Sequence, residues 1–151
     1  MRDRLILCYA RVVFAGKSPV MPGTCGSLAA LLAAPYLFVP LPVAGRLLFL
    51  ALILASGIWA SGQAEKLLGR VDPPEVVIDE FFGQWLTLLP FAAPGFAEYA
   101  AAFILFRFFD IAKPRPVKDL EAVGGGAGIM LDDAAAGLYA AMCLGLLKLL
   151  F

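Results

Sequence analysis

The stretch LLFLALILASGIWASG, residues 47–62, contains no charged residue and is rich in Ala and Leu. These residue types favour helix, and β-branched residues, which favour strands, are sparse. Four further apolar runs have the same character, at residues 27–39, 81–96, 99–109 and 134–147. Connections rich in polar residues, Gly and Pro separate the runs. We therefore predict an all-α fold in which all five runs are helical.

The composition of the 151-residue chain favours a membrane protein. Apolar residues make up 62% and charged residues 16%, against about 25% charged in an ordinary soluble domain. The mean hydropathy is +0.87. A straight span needs about 20 apolar residues. The run at 47–62 reaches this length if Arg46 snorkels, and the others reach it only with flanking residues. We predict a single domain over residues 1–151, a compact membrane-embedded bundle of four to five short hydrophobic helices after an N-terminal amphipathic segment. The number of spans stays open.

Several classes of site are excluded by residue types that the chain lacks. It has no histidine, and Cys8, Cys25 and Cys143 are isolated from one another, so a Cys/His zinc site is excluded. The net charge is zero, and nothing indicates nucleic-acid binding through a basic surface. The sequence does not fix the oligomeric state.

The distribution of charge predicts an orientation. If the first two runs form one hairpin, the next two another and the last a single helix, one side carries Arg46, Glu98 and Lys148. The positive-inside rule places the more basic side in the cytoplasm. That other side carries ten Lys and Arg residues: Arg2, Arg4, Arg11, Lys17, Lys66, Arg70, Arg107, Lys113, Arg115 and Lys118.

Three acidic clusters border apolar runs on this predicted cytoplasmic side: Asp79-Glu80, Asp110 and Asp132-Asp133. Carboxylates are costly in apolar surroundings unless they are paired or bind a cation. A helix start also explains acids at Asp79-Glu80, because they complement the helix dipole, and both interpretations can hold together. We expect Asp132-Asp133 to begin a helix as well, but an N-cap needs only one Asp. The second acid favours a Mg²⁺ site built from carboxylates.

Basic residues near the middle cluster suggest an anionic partner. Arg107 and Asp110 have i, i+3 spacing and share a helix face, so a simple ion pair is the alternative. Lys113 and Arg115 could both meet a phosphate, although attraction of Arg115 to anionic lipid is equally open. The Gly/Pro-rich segment 16–27 is either a turn with a helix cap or an anion-binding backbone nest.

Four segments in this order resemble the phosphatidylglycerophosphatase A family: PGTCGS at 22–27, VVIDEFFGQW at 76–85, LFRFFDIAKPRPV at 105–117 and GGAGIMLDDAAAG at 125–137. The resemblance implies a largely helical, Mg²⁺-dependent enzyme of the bacterial inner membrane, with its active site facing the cytoplasm. Its lipid substrate would be phosphatidylglycerophosphate, which loses its terminal phosphate to give phosphatidylglycerol. The residues that match the motifs fall into two groups. The acids, as metal ligands and catalytic groups, are Asp79, Glu80, Asp110, Asp132 and Asp133, and the phosphate-binding residues are Arg107, Lys113, Thr24 and Gly23.

Two questions stay open at this point. One carboxylate left off the metal would serve as general base or as nucleophile, and the sequence does not decide which. The alternative functions are a small membrane scaffold or an ion-relaying protein without hydrolase activity, and a soluble helical binding module.

Overall fold

The computed structural model describes residues 1–150 of the chain and, over that range, contains helices and no strands. A 3₁₀ turn, Ala15–Lys17, follows the first helix. The all-α prediction is therefore confirmed. The α-helices in chain order are α1 (Arg2–Ala10), α2 (Pro22–Leu37), α3 (Val43–Leu68), α4 (Ile78–Leu88), α5 (Phe96–Ala112), α6 (Val117–Glu121) and α7 (Gly125–Leu150).

Two of the predicted helix limits are wrong. The third apolar run, 81–96, is helical only as far as Leu88, because Pro90 has no N–H to donate to a continuing helix. The last helix begins at Gly125 and not after the acids. Asp132 and Asp133 therefore lie inside α7, about two turns from its start.

Glycines explain why α7 begins so early. A Cβ atom on Gly126 would collide with the carbonyl oxygen of Ile58 and would lie 2.6 Å from the backbone nitrogen of Gly62. The start of α7 therefore touches the backbone of α3 directly. Packing of this kind offsets the cost of Gly in a helix, about 1 kcal/mol relative to Ala.

The fourth and seventh helices form the centre of the bundle. α7 packs against α3, α4, α5 and α6, and α4 also packs against α2. Trp85 of α4 is fully buried and donates its indole N–H to the carbonyl of Ala30, at 2.7 Å. The Trp85 ring stacks on Phe38, with ring centroids 5.0 Å apart. An aromatic pair of this type adds about 1 kcal/mol beyond its buried area, so α4 is firmly held.

Two helices are long and apolar enough to cross a membrane, namely α3 and residues Gly125–Leu149 of α7. Large apolar side chains of α2, α3 and α5 also remain exposed, among them Leu32, Leu48 and Ile104. Apolar surface of this extent marks contact with lipid or with another protein. The helices and the exposed surface together indicate membrane association.

The charged residues predicted to share one end of the bundle do lie together. Arg46 is buried and donates hydrogen bonds to the carbonyls of Leu41, at 2.9 Å, and Phe91, at 2.5 Å. Lys148 Nζ lies 5.0 Å from the Phe91 ring centroid and 3.5 Å from Glu98 Oε1. The hairpin arrangement agrees with these contacts, whereas the side on which this end faces stays a prediction.

Candidate active site

A polar cavity of about 290 Å³ lies at the other end of the bundle. Its walls come from the start of α2, the segment before α4, the start of α4, the end of α5 and the first turns of α7. Eight of the nine predicted site residues line it, and Thr24 is the exception. The lining residues are Met21, Pro22, Gly23, Asp72, Pro74, Val76, Asp79, Glu80, Arg107, Asp110, Lys113, Asp132 and Asp133.

Three of the carboxylates form a compact group. Oxygen atoms of Asp79, Glu80 and Asp133 all lie within 4.8 Å of one another. One buried oxygen of each, Asp79 Oδ1, Glu80 Oε2 and Asp133 Oδ2, has no hydrogen-bond partner among the described residues. Buried carboxylate oxygens without partners are strongly destabilising. Three clustered carboxylates with oxygens to spare fit a hard divalent cation such as Mg²⁺, whose ligands are oxygen atoms.

Burial and mutual repulsion change the acidity of this group. Burial raises the pKa of Asp79 well above its usual range, and the neighbouring carboxylates of Glu80 and Asp133 raise it further. Burial also raises the pKa of Glu80, to about 7, against the lowering effects of its hydrogen bond with Asp79 and of the Arg107 charge. The cavity therefore cannot readily hold all these charges unaided, and a bound cation would favour the ionised forms.

Two glycines explain why Asp79 and Asp133 meet. A Cβ atom on Gly137 would lie 3.1 Å from Gly83 Cα, and one on Gly83 would lie 2.8 Å from the Asp133 carbonyl oxygen. The backbones of α4 and α7 thus touch at these glycines. Each glycine stands four residues after an acid, on the same face of its helix. Close approach at Gly83 and Gly137 therefore brings Asp79 and Asp133 together one turn away.

The remaining two acids are paired with cations. Arg107 Nη1 lies 2.5 Å from Asp110 Oδ2 and 3.8 Å from Glu80 Oε1. The predicted i, i+3 ion pair is therefore present, in largely buried surroundings. Lys113 Nζ donates to Asp132 Oδ2 at 2.9 Å. The structure thus separates three carboxylates that each keep one buried oxygen without a hydrogen-bond partner from two, Asp110 and Asp132, that are held in close ion pairs.

Lys113 has a second partner that sequence reasoning missed. Its Nζ lies 2.9 Å from Glu121 Oε1, at the end of α6. Desolvation lowers the pKa of Lys113, but hydrogen bonds with Glu121 and Asp132 outweigh that effect and hold the pKa above its usual value. Lys113 therefore stays protonated at neutral pH. Asp72 was missed as well, although it lines the cavity, because no pattern in the sequence separates it from the adjacent prolines.

The start of α2 faces the acids at Gly23. The first helical hydrogen bond at this end runs from Cys25 N to Met21 O, so the N–H groups of Gly23 and Thr24 have no partner within the helix. Free N–H groups at a helix start favour an anion. Thr24 itself does not line the cavity, so its predicted part in phosphate binding stays a prediction.

Replacing Gly23 by alanine tests how closely this backbone must approach the acids. A Cβ atom there would collide with Glu80 Oε1 and lie 3.2 Å from Arg107 Nη1. We expect Gly23→Ala to lower kcat/KM by about tenfold to a hundredfold through misplacement of the carboxylate. The melting temperature should change little, because the colliding atom ends a flexible side chain. Gly145→Ala, with open space around it, is the matched control, and equal losses in both variants would contradict this role.

A model of the phosphatidylglycerophosphatase A family matches residues 8–148 of the chain. The chain belongs to this family. Its membership confirms the resemblance read from the four motifs and identifies the chain as a phosphatase. It also removes the alternatives without enzymatic activity, namely the scaffold, the ion-relaying protein and the binding module.

Individual relatives agree with membership in the phosphatidylglycerophosphatase A family. The chain is 40% identical over 129 residues to phosphatidylglycerophosphatase A of Escherichia coli, covering 83% of this chain and 73% of that protein. It is 38% identical over 120 residues to the Haemophilus influenzae protein of the same name, covering 79% and 74%. A Bacteroides thetaiotaomicron protein, named provisionally as a phosphatidylinositol-3-phosphatase, is 41% identical over 132 residues, covering 82% and 81%. No solved structure matches the chain.

Proposed function

We propose that the protein removes the terminal phosphate of phosphatidylglycerophosphate by Mg²⁺-dependent hydrolysis in the acid-lined cavity, giving phosphatidylglycerol. One observation carries the proposal: three clustered carboxylates, each with a buried oxygen that has no hydrogen-bond partner, lie in one cavity with two cationic side chains. The family supports the lipid substrate, since two relatives bear its name. The metal and the roles of individual residues are inferred from the donor set.

Asp79, Glu80 and Asp133 would hold the Mg²⁺ ion. When bound, the metal supplies Lewis-acid polarisation of the phosphoryl oxygens. Arg107 and Lys113 offset the negative charge that spreads over these oxygens in the transition state. The N–H groups at the start of α2 orient the same phosphate through hydrogen bonds.

The two ion-paired acids are the candidates for the general base. Asp110 and Asp132 are outside the three-carboxylate group, and Arg107 and Lys113 fix their orientations. One of them takes a proton from water as the new P–O bond forms and the bond to the glycerol oxygen breaks. The leaving glycerol oxygen takes up a proton from solvent, and the base afterwards returns its proton to solvent.

We place the enzyme in the bacterial inner membrane with this cavity facing the cytoplasm. The acid-lined cavity lies at the end of the bundle that contains Arg107 and Lys113, on the side where ten of the twelve Lys and Arg residues were assigned. Basic residues favour the cytoplasmic side. The cavity would then open at the membrane surface, where a lipid headgroup lies.

The direct test is phosphate release from phosphatidylglycerophosphate in detergent micelles. We expect turnover with Mg²⁺, loss of turnover in EDTA and recovery when Mg²⁺ is restored in excess. Turnover that persists after exhaustive chelation would rule out a metal role. Because of the Bacteroides relative, phosphatidylinositol-3-phosphate is assayed in the same micelles. A higher kcat/KM for that lipid would assign the site to the other substrate.

A further inference from the structure

A second polar cavity, of about 490 Å³, adjoins the acid-lined cavity. The two share Pro22 and Pro74 in their walls, so they lie on either side of the same proline pair. The charged residues of the second cavity are Arg11, Lys17, Arg70 and Glu75. Three cations against one carboxylate give this basic cavity a formal charge of +2, opposite in sign to its neighbour.

Glu75 orients Arg11 and Arg70 and leaves most of their N–H donors free. Arg11 Nη2 and Arg70 Nη2 lie 3.5 and 2.5 Å from the same oxygen, Glu75 Oε1. A guanidinium has five N–H donors in a rigid fork, and each arginine directs only one nitrogen to this carboxylate. Arg11 Nε is buried and has no hydrogen-bond partner within residues 1–150. Donors therefore remain for an anion.

Lys17 is brought to the basic cavity by a tightly packed turn. A Cβ atom on Gly16 would collide with the Glu75 carbonyl oxygen and lie 3.1 Å from Arg11 Cα, so only glycine lets the 3₁₀ turn lie against residue 75. Lys17 is exposed and makes no ion pair in the described part of the chain. Its Nζ lies 5.5 Å from the Phe14 ring centroid. The ammonium is thus available to a ligand.

We propose that the basic cavity binds the phosphodiester of the lipid whose terminal phosphomonoester occupies the acid-lined cavity. This assignment rests on the proposed function, because phosphatidylglycerophosphate carries both phosphate groups on one glycerol. A phosphodiester needs cationic donors close to the reacting phosphate, and Arg11, Lys17 and Arg70 supply them. The basic cavity would then select lipids with a second phosphate over simple phosphomonoester lipids.

The test compares two lipid substrates in nonionic detergent micelles that contain no other phospholipid. Phosphatidylglycerophosphate carries the diester, whereas phosphatidic acid is a phosphomonoester without it. Wild-type enzyme should prefer phosphatidylglycerophosphate by at least about tenfold in kcat/KM, as expected for lost charge-assisted hydrogen bonds. Lys17→Gln and Arg70→Gln should each reduce this preference about tenfold, through a higher KM at nearly unchanged kcat. Lys66→Gln, an exposed residue outside both cavities, removes the same charge and should keep the preference.

The outcomes distinguish recognition of the phosphodiester from general attraction to anionic lipid. If the variants lose activity equally on both lipids, the cations attract anionic lipid in general and the diester subsite is wrong. Unchanged kinetics in both variants would also overturn it. If the wild-type enzyme does not cleave phosphatidic acid detectably, the test is the KM for phosphatidylglycerophosphate, which should rise in Lys17→Gln and Arg70→Gln and stay unchanged in Lys66→Gln. A wild-type enzyme that releases no phosphate from phosphatidylglycerophosphate contradicts the proposed function itself, which separates the two failures.

Discussion

Asp133→Asn is expected to lower phosphate release from phosphatidylglycerophosphate by about a thousandfold while the metal-free protein keeps or gains thermal stability. The loss follows because Lewis-acid stabilisation is worth several kcal/mol and each ~1.4 kcal/mol changes a rate tenfold. Asp133 is only 2% exposed and its Oδ2 lacks a partner. Removing its charge relieves repulsion with Asp79 and Glu80, and the amide can donate to one of them. Activity and stability therefore move in opposite directions.

The measurements are steady-state phosphate release and the melting temperature in detergent with EDTA. Asp119→Asn makes the same chemical change on α6, at a side chain 59% exposed whose nearest cation, Arg115, lies 3.7 Å away. A surface pair of this type contributes little, so this control should retain normal activity and stability. Near-normal turnover in Asp133→Asn would remove the residue from the site. A large fall in the metal-free melting temperature would show that Asp133 is structural.

The sequence predicts which residues belong to this site. It does not predict which of the acids would share a cation and which form ion pairs with Arg107 or Lys113. Alternation of apolar runs with polar connections predicted the helices, and the four motifs predicted that Asp79, Arg107 and Asp133 belong to one site. The structure places these three residues on the wall of a single cavity. Which acids share a cation and which pair with Arg107 or Lys113 depends on side-chain distances across helices, and no spacing within one segment encodes those distances.

The wrongly predicted start of α7 illustrates a second limit of prediction from the sequence. Gly124, Gly125 and Gly126 indicate a flexible connection when they are taken alone. In the fold, Gly126 and Gly128 allow contact with the backbones of α3 and α6, and tertiary packing overrides the local preference. The same contact sets Asp133 inside a helix, opposite α4. Glu121 could not be anticipated for a related reason, because its role arises only where α6 turns back towards Lys113.

Arg107→Lys is expected to lower kcat by about a hundredfold although the positive charge is kept. The Arg107 side chain is largely buried between Glu80 and Asp110. If the arginine served only to neutralise these carboxylates, lysine at the same helix position would do so nearly as well. In the transition state, the phosphoryl group that is being transferred requires several hydrogen-bond donors in a fixed plane. The guanidinium fork provides such donors and an ammonium does not. Loss of one such transition-state donor costs about a hundredfold to a thousandfold.

Kinetics and melting together separate the two roles of Arg107. Arg115→Lys makes the identical replacement eight residues later, at a side chain 86% exposed and outside the cavity, and should leave kcat unchanged. For Arg107→Lys the melting temperature should fall by only a few degrees, because the ammonium can still reach Asp110 at i, i+3 spacing. A fall in kcat with KM nearly constant identifies an interaction made in the transition state. Wild-type kcat in Arg107→Lys would reduce the residue to a counter-ion for its two acids and leave Lys113 as the phosphate-binding cation.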